Sequence, residues 1–120
     1  MTRAADRAFL AAGIALTLGL LWASVVPAAR KVFAYGDLHY AAHFAAFAVL
    51  AFAWRRGLRG VPAWIVLLAV VAFGFGQEAI EIAGHAHPFE LADALVDAAG
   101  ALVGVVIART TQRTRAGAPK

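Results

Sequence analysis

The sequence predicts an all-α integral membrane protein, a four-helix bundle with both termini on the cytoplasmic side. Three observations predict it. Hydrophobic residues make up 62% of the 120 positions and charged residues only 15%, against about 25% charged in a typical soluble domain. Four apolar stretches each approach the roughly 20 residues that cross about 30 Å of hydrocarbon at 1.5 Å per residue. The basic residues sit almost entirely on one side of those stretches. A soluble domain of this length buries only roughly two-thirds of its unfolded surface, too little to hide so much apolar area.

The first stretch covers residues 8–26 and follows Arg3 and Arg7. Those flanks suit a secretion signal, but the apolar run is longer than the roughly 7–15 residues of one. Pro27-Ala28-Ala29-Arg30 also offers no clean small-x-small cleavage site. A retained helix is expected, ended by Pro27. The second stretch, 38–54, is the shortest and needs some bilayer thinning or snorkelling at its ends. Arg55-Arg56-Gly57 closes it, and Pro62 opens the third, 61–83. Gly84 and Pro88 bracket the next connection, and Pro88 suits the first turn of a helix, where a missing N–H costs nothing. The fourth stretch is 89–108, and 109–120 reads as a polar, frayed cytoplasmic tail. Trp22, Trp54 and Trp64 are expected to anchor at the interfaces, the last two flanking the cytoplasmic loop.

Orientation follows from Lys and Arg near the spans. One side holds Arg3, Arg7, Arg55, Arg56, Arg59, Arg109, Arg113, Arg115 and Lys120; the other holds Arg30 and Lys31. Nine against two places the first side in the cytoplasm, with Arg55-Arg56 as a topology signal. The expected location is the bacterial cytoplasmic membrane. The net charge of +4 therefore serves lipid contact, and nucleic acid is not an expected partner. With no cysteine, disulfides, thiolate catalysis and Cys-based metal sites are excluded.

The acids are distributed the other way. Only Asp6 lies with the basic residues. Asp37, Glu78, Glu81, Glu90, Asp93 and Asp97 fall in the outer half, and so do His39, His43, His85 and His87. Counting from Pro62, Glu78 lies about 24 Å along its helix, roughly 6 Å below the outer boundary. Asp97 is about 12 Å deep if its helix starts at Phe89, and His43 about 7–8 Å. Helical periodicity gives three stripes: His39, His43, Phe47, Leu50 and Trp54; Gly74, Glu78, Glu81 and His85; and Asp93, Asp97, Gly100 and Gly104. Glycine continues the last two stripes inward, and Gly100-x-x-x-Gly104 has the small-xxx-small spacing of close helix packing. The helices are expected to touch closely below and to face polar groups towards one outward vestibule above.

Carboxylates at membrane depth cost roughly 2.5–3.5 kcal/mol each at a helix centre, less near an interface. Glu78, Glu81 and Asp97 should face the bundle, as a ligand or proton site or as plain interhelical hydrogen bonds to His39 or His43. Asp93 belongs to the same group. His39 and His43, four apart, could chelate a metal with Glu or Asp completing the shell, or be ordinary interface histidines; no cofactor is otherwise expected. His85 and His87 read as solvated loop residues, with Asp37 and Glu90 as surface or cap residues. Ser24 has no base beside it, and no phosphate-binding loop is present.

The outer-half motifs resemble the VanZ-like family of small bacterial membrane proteins. His43-Phe44 looks like that family's His-Phe pair, and Glu78-Ala-Ile-Glu81 like its Glu-x-x-Gln. His87 stands where Arg is usual. Asp93-Ala-Leu-Val-Asp97-Ala-Ala-Gly100-Ala-Leu-Val-Gly104 resembles its Asp-x-x-x-Asn-x-x-Gly-x-x-x-Gly. The resemblance covers roughly residues 35–108. It implies a four-helix membrane fold, and the family's namesake is associated with low-level resistance to the glycopeptide teicoplanin. Acids at Glu81 and Asp97, and His87 for Arg, make this version more negative. It would then suit a cationic group, or share protons.

Three kinds of function are compatible with these residues. The leading one is a non-enzymatic envelope protein whose pocket of His39, His43, Glu78, Glu81, His87, Asp93 and Asp97 recognises an envelope lipid, a cell-wall precursor or a glycopeptide-type ligand. The second is an intramembrane enzyme using a carboxylate/His site. The third is a small accessory subunit of a larger membrane complex. A proton-coupled carrier fits less well, because four helices are few and no inverted repeat is evident.

Overall fold

In the computed structural model, residues 3–26, 37–85 and 91–116 are described. The side chains of Asp37, Glu81 and His85 fall outside that description, as do His87 and Glu90 and the basic pair Arg30 and Lys31.

Among the described residues the fold is all-helical: α1 (Arg3–Val25), α2 (Asp37–Gly57), α3 (Ala63–His85) and α4 (Leu91–Ala116). Three of them are long and apolar enough to cross a membrane: α1 throughout, α3 over Ala63–Ile80 and α4 over Leu91–Gln112. The fourth, α2, has 21 residues, but His39, His43, Arg55 and Arg56 dilute its apolar character.

Two boundaries differ from the sequence reading. The first helix begins at Arg3, five residues before its apolar run. The last helix continues to Ala116, so most of the expected frayed tail is helical. Ala, Arg and Gln are good helix formers, and cations in a last turn oppose the carbonyl end of the helix dipole. Thr110 and Thr111 add hydrogen bonds from their hydroxyls to the carbonyls of Ile107 and Ala108, each 2.9 Å.

Around the bundle the helices follow the order α1, α2, α4, α3. The broadest contact is α2 with α4, then α1 with α2, and α1 does not meet α4. Successive helices alternate in direction. His39 meets Asp93, His43 meets Asp97 and Arg56 meets Thr111, so α2 and α4 run parallel. Trp54 bonds Thr17 and Phe9 stacks edge-on with Phe52, so α1 and α2 run antiparallel. All described Arg residues lie at one end of the bundle, and Glu78, Asp93 and Asp97 lie towards the other. These are the basic and acidic ends below.

Glycine sets the tightest contacts. A methyl group on Gly100 would strike the Phe44 carbonyl oxygen, and one on Gly104 the Ala48 carbonyl oxygen. Here the α2 and α4 backbones touch, as the small-xxx-small spacing predicts. Gly74 fits under the Phe47 ring and beside Asp97, where a methyl group would lie 3.2 and 3.4 Å from them. A further contact has no spacing signal: Gly57 abuts the α1 backbone, 2.7 Å from Leu10 N to an added methyl.

The core below the acidic residues is built from Phe47, Leu50, Ala51, Val66, Val70, Ala101 and Val105. Between α1, α2 and α3 an apolar crevice of about 290 Å³ runs past Thr17, Leu50, Trp54 and Val66. Trp54 follows its stripe into this region instead of joining an interface belt. Its indole covers Gly13 and its Nε1 donates to Thr17 Oγ1 at 3.0 Å. Trp22 and Trp64 are exposed, at 61% and 64%.

Alanine at Gly100 or Gly104 should lower stability by about 1–3 kcal/mol, the usual cost of overpacking. Alanine at Gly19 or Gly76, where a methyl meets nothing within 4 Å, should be neutral or stabilising by up to about 1 kcal/mol. Thermal loss of helical circular dichroism in mild detergent measures both. Equal effects at all four positions would contradict the close α2–α4 contact.

Candidate functional site

The acidic end is built on α2 and α4. Because they run parallel in constant register, residues four apart on one helix meet residues four apart on the other. His39 Nε2 lies 3.0 and 3.1 Å from the two Asp93 carboxylate oxygens. One turn deeper, His43 Nδ1 lies 2.8 Å from Asp97 Oδ1. Where the carboxylate is ionised it can only accept, and the facing imidazole nitrogen then donates. The two imidazoles face each other at 4.5 Å between centroids, and the Tyr40 ring meets His39 edge-on at 5.3 Å.

Burial divides the rungs unequally. The Asp93 and Asp97 side chains are only 4% and 2% exposed, whereas His39 and His43 are 18% and 23% exposed. The carboxylates are the inner wall, and the imidazoles carry the cluster's accessible edge.

α3 brings Glu78 to the same end. Gly74 sits against Asp97, and Glu78 is one turn further out on that face, about 6 Å along the axis. Glu78 is buried, and because α3 and α4 run antiparallel, one turn outward from Asp97 is the level of Asp93. Of the residues nominated from sequence, His39, His43, Glu78, Asp93 and Asp97 therefore gather on the bundle-facing sides of three helices. The Glu81 side chain and His87 lie outside the described residues.

Other polar contacts were not legible beforehand. Gln77, beside Glu78, is buried and joins α3 to α1. Its Nε2 donates to Ser24 Oγ at 2.8 Å and to the Leu20 carbonyl at 2.9 Å. Ser24 in turn donates to Leu20 O at 2.9 Å, so its hydroxyl serves packing. At the basic end, Arg56 is buried and does more than mark topology. Its Nη1 donates to Thr111 Oγ1 at 2.9 Å, and its guanidinium lies 5.0 Å from the Phe9 ring and 5.6 Å from the Phe52 ring. The i, i+4 spacing of Phe52 and Arg56 was a usable signal. Gln77 had no such signal, because its partners come from a helix 53 residues away. Arg59 forms an ion pair with Asp6 at 3.6 Å.

No family model, curated protein or solved structure matches the chain.

His43→Ala removes the imidazole donor facing the buried Asp97 carboxylate and should cost about 1–3 kcal/mol. Asp97→Ala should also destabilise, and the double variant should cost less than the two singles together. A double-mutant cycle on thermal unfolding in detergent measures this coupling. Strict additivity would show that the rung contributes nothing.

Proposed function

We propose that the chain is a VanZ-like protein of the bacterial cytoplasmic membrane, crossing it four times with both termini inside. Its outer-leaflet His/carboxylate cluster recognises an envelope ligand that brings positive charge, such as a lipid or a cell-wall precursor. The observation that carries this reading is the gathering of three buried acids and two imidazoles at one end of the bundle. Asp93, Asp97 and Glu78 are buried there against two imidazoles, and no described residue of the outer half is a Lys or Arg. Ionisable groups at membrane depth are expensive and mark ligand or proton pathways by default.

The sequence motifs support the family reading. His43-Phe44, Glu78-x-x-Glu81 and Asp93-x-x-x-Asp97-x-x-Gly100-x-x-x-Gly104 keep the VanZ-like spacing, with acids at the positions that make the pocket more negative. Topology rests on the nine-to-two distribution of Lys and Arg.

Two experiments test the proposal. A fluorescent protein fused after Lys120 should fluoresce, while alkaline phosphatase at the same point should stay inactive; the reverse pattern would overturn the orientation. In a deletion strain, wild-type protein should restore envelope-stress and glycopeptide responses, and Glu78→Ala, Glu81→Ala and Asp97→Ala should not, at equal protein level in the membrane. Full restoration by all three variants would end the recognition reading.

A further inference from the structure

This inference rests on reading the His/carboxylate cluster as a ligand site and gives its positively charged partner a more specific identity. We propose that His39, His43 and Asp93 bind one divalent ion of the zinc class. Asp97 orients His43 from behind.

The ligand atoms of His39, His43 and Asp93 lie within 4.8 Å of one another. His39 and His43 are four apart on α2, the spacing by which a helix offers two imidazoles to one ion. Asp93 comes from the neighbouring helix, so the site needs the tertiary fold. In a tetrahedral site with metal–ligand bonds of about 2.0–2.1 Å, neighbouring ligand atoms stand roughly 3.3 Å apart. His39 Nε2 and the Asp93 carboxylate are already 3.0–3.1 Å apart. For this pair a metal ion in place of the shared proton needs a few tenths of an ångström of opening, and the whole set, spread within 4.8 Å, closes by up to about 1.5 Å.

Asp97 completes the argument. In the proposed site its bond to His43 Nδ1 would hold the proton on that nitrogen and present Nε2 to the ion. Metal-bound histidines are held by a carboxylate in this same way. Two imidazoles and one carboxylate suit zinc and related transition ions over magnesium, which prefers an octahedral oxygen shell. The 18% and 23% exposure of the imidazoles leaves an entry path. Three protein ligands leave a fourth position open. An oxygen atom of the envelope ligand could occupy it, which joins this site to the recognition proposed above.

The test is calorimetric titration of ZnCl2 into tag-free, chelator-stripped protein in mild detergent, with MgCl2 as control and zinc content checked by elemental analysis. The expected result is one saturable zinc per chain and no magnesium binding. His39→Ala, His43→Ala and Asp93→Asn should abolish it. Asp97→Asn should weaken it about 10–100-fold without changing the stoichiometry, the usual effect of losing a carboxylate behind a ligand. Cobalt added to wild-type protein should give the visible bands of a four-coordinate site, a readout that needs no variant to fold. Wild-type protein without saturable zinc uptake would overturn the inference, as would equal uptake by the three ligand variants. If zinc does not bind but the carboxylate variants still fail in the deletion strain, only the metal falls. If zinc binds at these residues while every variant restores the strain, the metal stands and the recognition reading falls.

Discussion

The contact on which the rest depends is the backbone approach of α2 and α4 at Gly100 and Gly104. In lipid no hydrophobic force draws helices together, so association rests on close van der Waals packing and on polar contacts between helices. Glycine lets α4 lie directly on the Phe44 and Ala48 carbonyls, a distance at which Cα–H groups can also donate weakly to oxygen. That contact fixes separation, direction and register together. With register fixed, His39 is brought onto Asp93 and His43 onto Asp97.

The two ends of the bundle solve the problem of buried charge differently. At the basic end, Arg56 is enclosed by aromatic faces and a threonine hydroxyl. Its long stem lets the charge remain near the boundary while its carbons pack. Arg55 turns back on the chain, its Nη1 donating to the Leu58 carbonyl at 3.3 Å, which closes the end of α2. At the acidic end short carboxylates cannot snorkel in this way, so they face the bundle and take imidazoles as partners. Between the ends the core is aliphatic and aromatic, and it isolates one set of charges from the other.

This division also shapes what the acidic end can do chemically. The carboxylates are held rigidly on helices and enclosed, while the imidazole edges remain accessible. On the proposed reading such a site would suit a cation, because the reorganisation cost is met when the helices pack. α1, whose range is Arg3–Val25, carries none of the acids and imidazoles named in that wall. It braces the bundle from the far side of α2, through Gly13 under Trp54 and through Ser24 bonded to Gln77 of α3.

The sequence by itself determined the helix count, three of the four expected spans, and the inward stripes of α2, α3 and α4. These depend on local quantities: run length, the 3.6-residue period and the positions of proline and glycine. His39, His43, Asp93, Asp97 and Gly100 could be put on inward stripes for that reason. The tertiary structure alone decided which stripe meets which. The pairing of His39 with Asp93 and His43 with Asp97, each 54 residues apart, depends on the parallel register of α2 and α4. So does the burial of Arg56 against Thr111. Gln77 finding Ser24 and Gly57 resting on Leu10 depend likewise on how neighbouring helices are rotated about their axes. Rotation and register are properties of a pair of helices, and no single stretch of sequence contains them.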